Sequence, residues 1–89
     1  MAKRRILKKA INAHCSEMFA ECVAVRLFHK NITQESLDPI MTRVLSLQMD
    51  MLERVNHVEP GSTRLFFKKL EEDFCRESED IYKALADLL

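Results

Sequence analysis

The chain has one glycine and two prolines in 89 residues, too few for the many turns of an all-β fold or for collagen-like and linker-rich segments. A single glycine also excludes a glycine-rich phosphate loop. Net charge is absent, with 14 Lys/Arg against 14 Asp/Glu, so the global basic excess of a dedicated nucleic-acid binder is missing. No stretch approaches the roughly 18 consecutive apolar residues of a membrane-spanning helix. The first nine residues hold five cations, but no sustained apolar run comes after them, and no secretory leader is expected. The cysteines, Cys15, Cys22 and Cys75, are odd in number and lack small-loop spacing. That pattern points to reduced thiols in a cytoplasmic setting.

Helical periodicity, by contrast, is strong. From Lys3 to about Phe28 there is neither Gly nor Pro, and Leu7, Ile11, Met18, Cys22 and Val25 recur at helical spacing. Lys30-Asn31-Ile32-Thr33 breaks the pattern. A second helix begins between Gln34 and Pro39, with Thr33 or Asp38 available as N-cap and Pro39 placed in the first turn, where its missing N–H costs nothing. Its stripe runs through Leu37, Ile40, Met41, Val44, Leu45, Gln48, Met51, Leu52 and Val55. Glu59-Pro60-Gly61-Ser62 is the clearest punctuation, and Ser62 can cap a third helix. Along that third segment Phe67, Leu70, Phe74, Ser78, Ile81, Leu85 and Leu88 step by three and four, with a polar gap at Ser78. The expected structure is one domain, with helices over 3–28, 36–57 and 63–88, in an all-α, up-down-up antiparallel three-helix bundle that dimerisation can complete.

Charge is distributed unevenly along this bundle. Residues 1–30 carry seven basic groups against two acidic ones, and residues 71–89 carry two against seven. Parallel first and third helices bring Lys3, Arg4, Arg5, Lys8 and Lys9 near Arg64, Lys68 and Lys69, with Arg54 not far away. These are the candidate anion or partner contacts. Cations in a first helical turn oppose the macrodipole by roughly 0.3–1 kcal/mol each, so either those residues fray or something else compensates; an antiparallel second subunit would bring acidic residues 71–80 towards a basic pole, and a bound anion or plain solvation would also serve.

Chemical signatures are weak. His14, Glu17 and Glu21 share a helix face beside Met18 and Cys22, which could form half a metal site or line an apolar ligand. Bundle di-metal sites, however, need Glu-x-x-His twice, and no Glu-x-x-His occurs here. Cys15 and Cys22 are one heptad apart, roughly 10 Å along the helix, too far to share one zinc. His14 and Cys15 point about 100° apart and cannot form a nucleophile–base pair. No enzymatic activity, metal or cofactor is expected.

Leu45, Leu47, Met49, Leu52, Phe66 and Phe67 exceed what one narrow seam can bury. With Met41, all but Leu47 make the candidate apolar interface. The leading expectation is a non-enzymatic interaction module that self-associates as a homodimer or docks a partner helix; the alternative is a small nucleic-acid-associated or regulatory protein using the basic pole. At Phe19-Ala20-Glu21-Cys22-Val23-Ala24, His57-Val58-Glu59-Pro60-Gly61 and Phe67-Lys68-Lys69-Leu70, the chain resembles a small group of short, uncharacterised all-helical bacterial proteins with similar basic starts. The resemblance implies a bacterial cytoplasmic setting and carries over no catalytic residue.

Overall fold

A computed structural model describes residues 2–58, 61 and 63–89, the first two of them as backbone alone. Among these the chain forms α1 (Ala2–Phe28), α2 (Gln34–Asn56) and α3 (Thr63–Leu88), with no strand. The fold is the all-α three-helix bundle that the apolar periodicity predicts. α2 packs against both other helices, and the bundle is a rod of 51 × 19 × 14 Å.

The core explains the arrangement. α1 contributes Ile11, Cys15, Met18, Cys22 and Val25, separated by steps of four and three, the spacing that keeps one seam facing its neighbours. α2 contributes Leu37, Ile40, Val44, Leu47, Met51 and Val55, and α3 adds Leu70, Ile81 and Leu85. α2 is thus the central element. Each fully buried side chain of this kind stabilises the fold by about 1.5–3 kcal/mol relative to exposure. Leu47, counted in the apolar excess, belongs to this core.

The α1–α2 connection is more structured than its polar composition implies. The Ile32 N–H donates to the His29 carbonyl at 3.0 Å, and the Ile32 side chain is buried with the core. Thr33, in extended backbone, is the N-cap of α2, and its Oγ1 accepts from the Ser36 N–H at 3.2 Å. Ile32 and Leu37 therefore occupy the two positions of a hydrophobic staple around that cap. The cap fixes the start of α2 at Gln34, which corrects the expected place of Pro39: it lies inside the helix, in the second turn. There its ring removes the bond to the Glu35 carbonyl, a penalty that the cap and the buried staple offset. Asp38, the other candidate cap, instead accepts from Gln34 Nε2 at 2.8 Å.

α2 ends where the His57 N–H reaches the Arg54 carbonyl at 3.3 Å. Gly61 lies beyond it with φ +94°, a left-handed conformation that an L side chain adopts only with strain. The expected break at Pro60 and cap at Ser62 lie outside the described residues.

Candidate interaction surfaces

The up-down-up order places the starts of α1 and α3 and the end of α2 at one pole. Arg5 and Lys9 are exposed there and Arg4 and Lys8 half-buried, while Arg64, Lys68 and Lys69 are exposed on α3; the side chain of Lys3 is outside the described residues. Neither α1 nor α3 has an acidic residue in its first turn. Arg4 and Lys8, Arg5 and Lys9, and Arg64 and Lys68 are like-charge i,i+4 pairs, each destabilising by about 0.2–0.5 kcal/mol. α2 differs, with Glu35 in its first turn and Arg54 in its last, both favourable to its dipole. The charge asymmetry is therefore confined to the two helices that begin at the basic pole.

One carboxylate organises part of that pole. Asp73 is buried on α3 and receives Lys69 Nζ at 3.1 Å, Arg54 Nη2 at 3.2 Å and Arg76 Nη1 at 3.2 Å. Hydrogen bonding from Lys69 leads in holding the carboxyl below its ordinary pKa of 3.8, with Lys69 charge, Arg54 and Arg76 adding to it against the opposing effect of burial. Arg54 also donates through Nη1 to Met51 Sδ at 3.8 Å. Because Arg54 comes from α2, the cluster ties α2 to α3. Lys69, one of the expected anion contacts, takes part in this fold contact while its side chain stays 63% exposed. Among the described residues no carboxylate lies within ion-pair distance of Arg4, Arg5, Lys8, Lys9, Arg64 or Lys68.

The candidate apolar interface divides in two. Leu45 is 49% exposed and Met49 72% exposed, and Met41 and Leu52, partly buried against the core, continue their strip along α2. α1 lies beside it: Cys15, Ser16 and Phe19 line a groove with Val44, Leu45 and Gln48. Gln48 Nε2 donates to Asn12 Oδ1 at 2.7 Å across the two helices. Phe19, partly buried, and Val23, exposed, extend the apolar character onto α1, and the apolar excess of the sequence did not single them out. Phe67, by contrast, is only 3% exposed, a correction to its place in the interface. Phe66 is half-buried with its ring edge-on to Phe67 at 5.7 Å, so the aromatic pair turns inward.

The third constellation lies between α1 and α3. His14 meets Phe74 edge-on at 5.2 Å and Tyr82 at 6.2 Å, which makes it a packing residue of that seam. Glu17 and Glu21 are exposed and line a shallow cleft with Ala20, Ala24 and Tyr82. Burial raises the Tyr82 pKa, and the negative charges of Glu21 and Glu17 and the Cys22 group raise it further. Among the described residues no group of three or more His, Cys, Asp or Glu is placed to hold a metal ion. Cys15 and Cys22 are buried free thiols and Cys75 is an exposed one. Burial raises the pKa of Cys15; burial and then the Glu21 charge raise that of Cys22.

The Asp73 cluster was hidden in the sequence because Asp73 sits in an acidic run. Its signal was nonetheless present, since Lys69, Asp73 and Arg76 stand at i, i+4 and i+7 on one helix. No described helix is long and apolar enough to cross a membrane. No family model, curated protein or solved structure matches the chain.

Proposed function

We propose that this protein is a non-enzymatic helical interaction module of the bacterial cytoplasm, which pairs with a second copy of itself through the α1–α2 face. The observation that carries this reading is the strip of Met41, Leu45, Met49 and Leu52, from which Leu45 and Met49 project into solvent at 49% and 72% exposure. An apolar strip beside a groove is the kind of surface that a partner covers.

Charge selects the occupant and its orientation. A two-fold axis parallel to the helices would set two basic poles side by side. An axis perpendicular to them sets the basic pole of one copy beside the acidic pole of the other, where Glu77, Glu79, Asp80 and Asp87 lie on α3. A stable interface covers about 800 Å² per partner, roughly an eighth of the 6322 Å² that this chain exposes. The strip therefore acts together with Asn12, Ser16, Phe19 and Val23 of α1.

Sedimentation equilibrium from micromolar to millimolar protein tests the reading, with native mass spectrometry to detect any bound mass. A concentration-dependent dimer is expected, and Leu45→Glu with Met49→Glu should return it to monomer without loss of helicity. A monomer at every concentration, or a dimer indifferent to both substitutions, defeats the proposal. Release of a helical partner by the same substitutions, with this chain itself monomeric, would replace the second copy by that partner.

A further inference from the structure

We infer that the basic pole is a phosphate-backbone surface for double-stranded nucleic acid, engaged without regard to base sequence. This goes beyond self-association and bears on the same cations that an antiparallel partner copy would set beside its acidic pole.

The first observation is where the cations are and what they lack. The first sixteen residues contain no carboxylate, and Arg4, Arg5, Lys8 and Lys9 surround the opening turns of α1. Arg64 and Lys68 hold the corresponding place on α3. Three other cations, Arg54, Lys69 and Arg76, share the single negative charge of Asp73. None of the remaining six has a carboxylate within ion-pair distance among the described residues, although Glu71 and Glu72 line the same surface cleft as Lys68.

The second observation is that these six break local rules together. Three like-charge i,i+4 pairs stand at the N-terminal ends of parallel helices, where the macrodipole also disfavours cations. All of this repulsion falls at one end of the rod, and an anion there relieves all of it. Like-charge i,i+4 pairs also stand elsewhere, Glu17 with Glu21 on α1 and Asp73 with Glu77 on α3, but the pole gathers three of them, on two helices, at one place.

Charge density identifies the anion. A duplex carries one charge per about 1.7 Å of axis, so the 19 Å breadth of the rod spans on the order of ten charges. That density engages four or more cations at once. The exposed rings Phe28 and Tyr82 lie away from the pole, and the lack of exposed Phe, Tyr or Trp rings among the described residues of the pole separates duplex from single strand. The chain has no Trp, Phe67 is buried and Phe66 is half-buried with its ring against Phe67. Single-strand binding draws on exposed rings, whereas contacts to duplex phosphates need only the cations, and such contacts carry no base information.

Fluorescence anisotropy with a short, labelled, random-sequence DNA duplex and the full chain tests the inference. With four phosphate contacts, the slope of log K against log salt is about −3.6, roughly a hundredfold loss of affinity between about 50 and 200 mM salt. The informative variant combines Arg5→Glu with Arg64→Glu. Each change creates a Glu-to-Lys i,i+4 pair, with Lys9 or Lys68, and places an acid near a helix start, so thermal stability should rise. Duplex affinity should fall at least tenfold, with the salt slope smaller by about two. Arg5→Gln with Arg64→Gln removes charge alone and should reduce affinity in the same direction, by less. Absence of binding at low salt, affinity unchanged in both variants, tighter binding of the matched single strand, or tighter binding of poly-glutamate would each overturn the assignment. Mass measured in the same solutions reads dimerisation separately, so the failure of one reading is not mistaken for failure of the other.

Discussion

Ser78→Ala should stabilise this protein. Ser78 is 5% exposed, and its buried Oγ has no hydrogen-bond partner. It stands one helical turn from both Phe74 and Tyr82, the two rings that flank His14. A buried hydroxyl without a partner forfeits about 1–3 kcal/mol of solvation. Alanine removes that penalty and adds about 0.5 kcal/mol of helix propensity. Against this, the lost oxygen gives up a handful of dispersion contacts, about 0.1–0.2 kcal/mol each. The net gain is about 1 kcal/mol, or about 4–8 °C in Tm for a chain of this length. Urea unfolding monitored by far-ultraviolet circular dichroism measures it, with the midpoint rising and the m-value unchanged. A lower midpoint would refute the reasoning, because it would mean that the hydroxyl is bonded in solution, to a buried water or to the Phe74 carbonyl.

The remaining predictions concern the pole, the turn and the cap. The carboxyl of Asp73 is held below its ordinary pKa of 3.8, so its contribution is fully present at neutral pH and is lost as pH falls from the unfolded value through the folded one. Asp73→Asn should therefore flatten the fall in urea midpoint on acidification, and an acid dependence equal to that of the parent would defeat the assignment. Gly61→Ala meets nothing within 4 Å of the added Cβ, so its cost is that of the backbone alone, about 1–2 kcal/mol; a neutral result in thermal unfolding would mean that the turn relaxes to negative φ. Thr33→Ala removes the oxygen that accepts from the Ser36 N–H and should cost about 1 kcal/mol in urea unfolding, whereas Thr33→Asp should restore most of it.

Legibility tracked physical range. Ile11, Met18, Cys22 and Val25 on α1, and Leu70, Ile81 and Leu85 on α3, are core residues because a helix repeats every 3.6 residues, and that period is written in the chain. The start of α2 was less legible because two caps competed. Thr33 and Asp38 are both good local candidates, and the choice depended on Ile32 packing into the core, which no local rule sees in a segment reading Lys-Asn-Ile-Thr. Phe66 and Phe67 show the same limit at one residue's resolution: adjacent positions differ by about 100° around a helix, and only the packed bundle showed that both rings turn inward. At the pole, counting sign along the chain placed the cations correctly. It missed that three of the cations around Asp73 are structural, since Arg54 reaches that carboxylate from another helix.

The way charge is placed on the three helices bears on function. α2 has Glu35 in its first turn and Arg54 in its last, both favourable to its dipole, and it is also the element around which the core is built. α1 and α3 lack acid in their first turns and concentrate like charges there. If folding alone had shaped the surface, exchanging Arg5 or Arg64 for Glu would be a simple improvement, since neither side chain makes an ion pair among the described residues. The core of the bundle tolerates their retention because the repulsion is about a few tenths of a kcal/mol per pair against about 1.5–3 kcal/mol per buried side chain. A sequence that keeps a correctable repulsion at one pole, while pairing Arg54, Lys69 and Arg76 with a buried Asp73, separates the cations that hold the fold from those without an ion pair among the described residues.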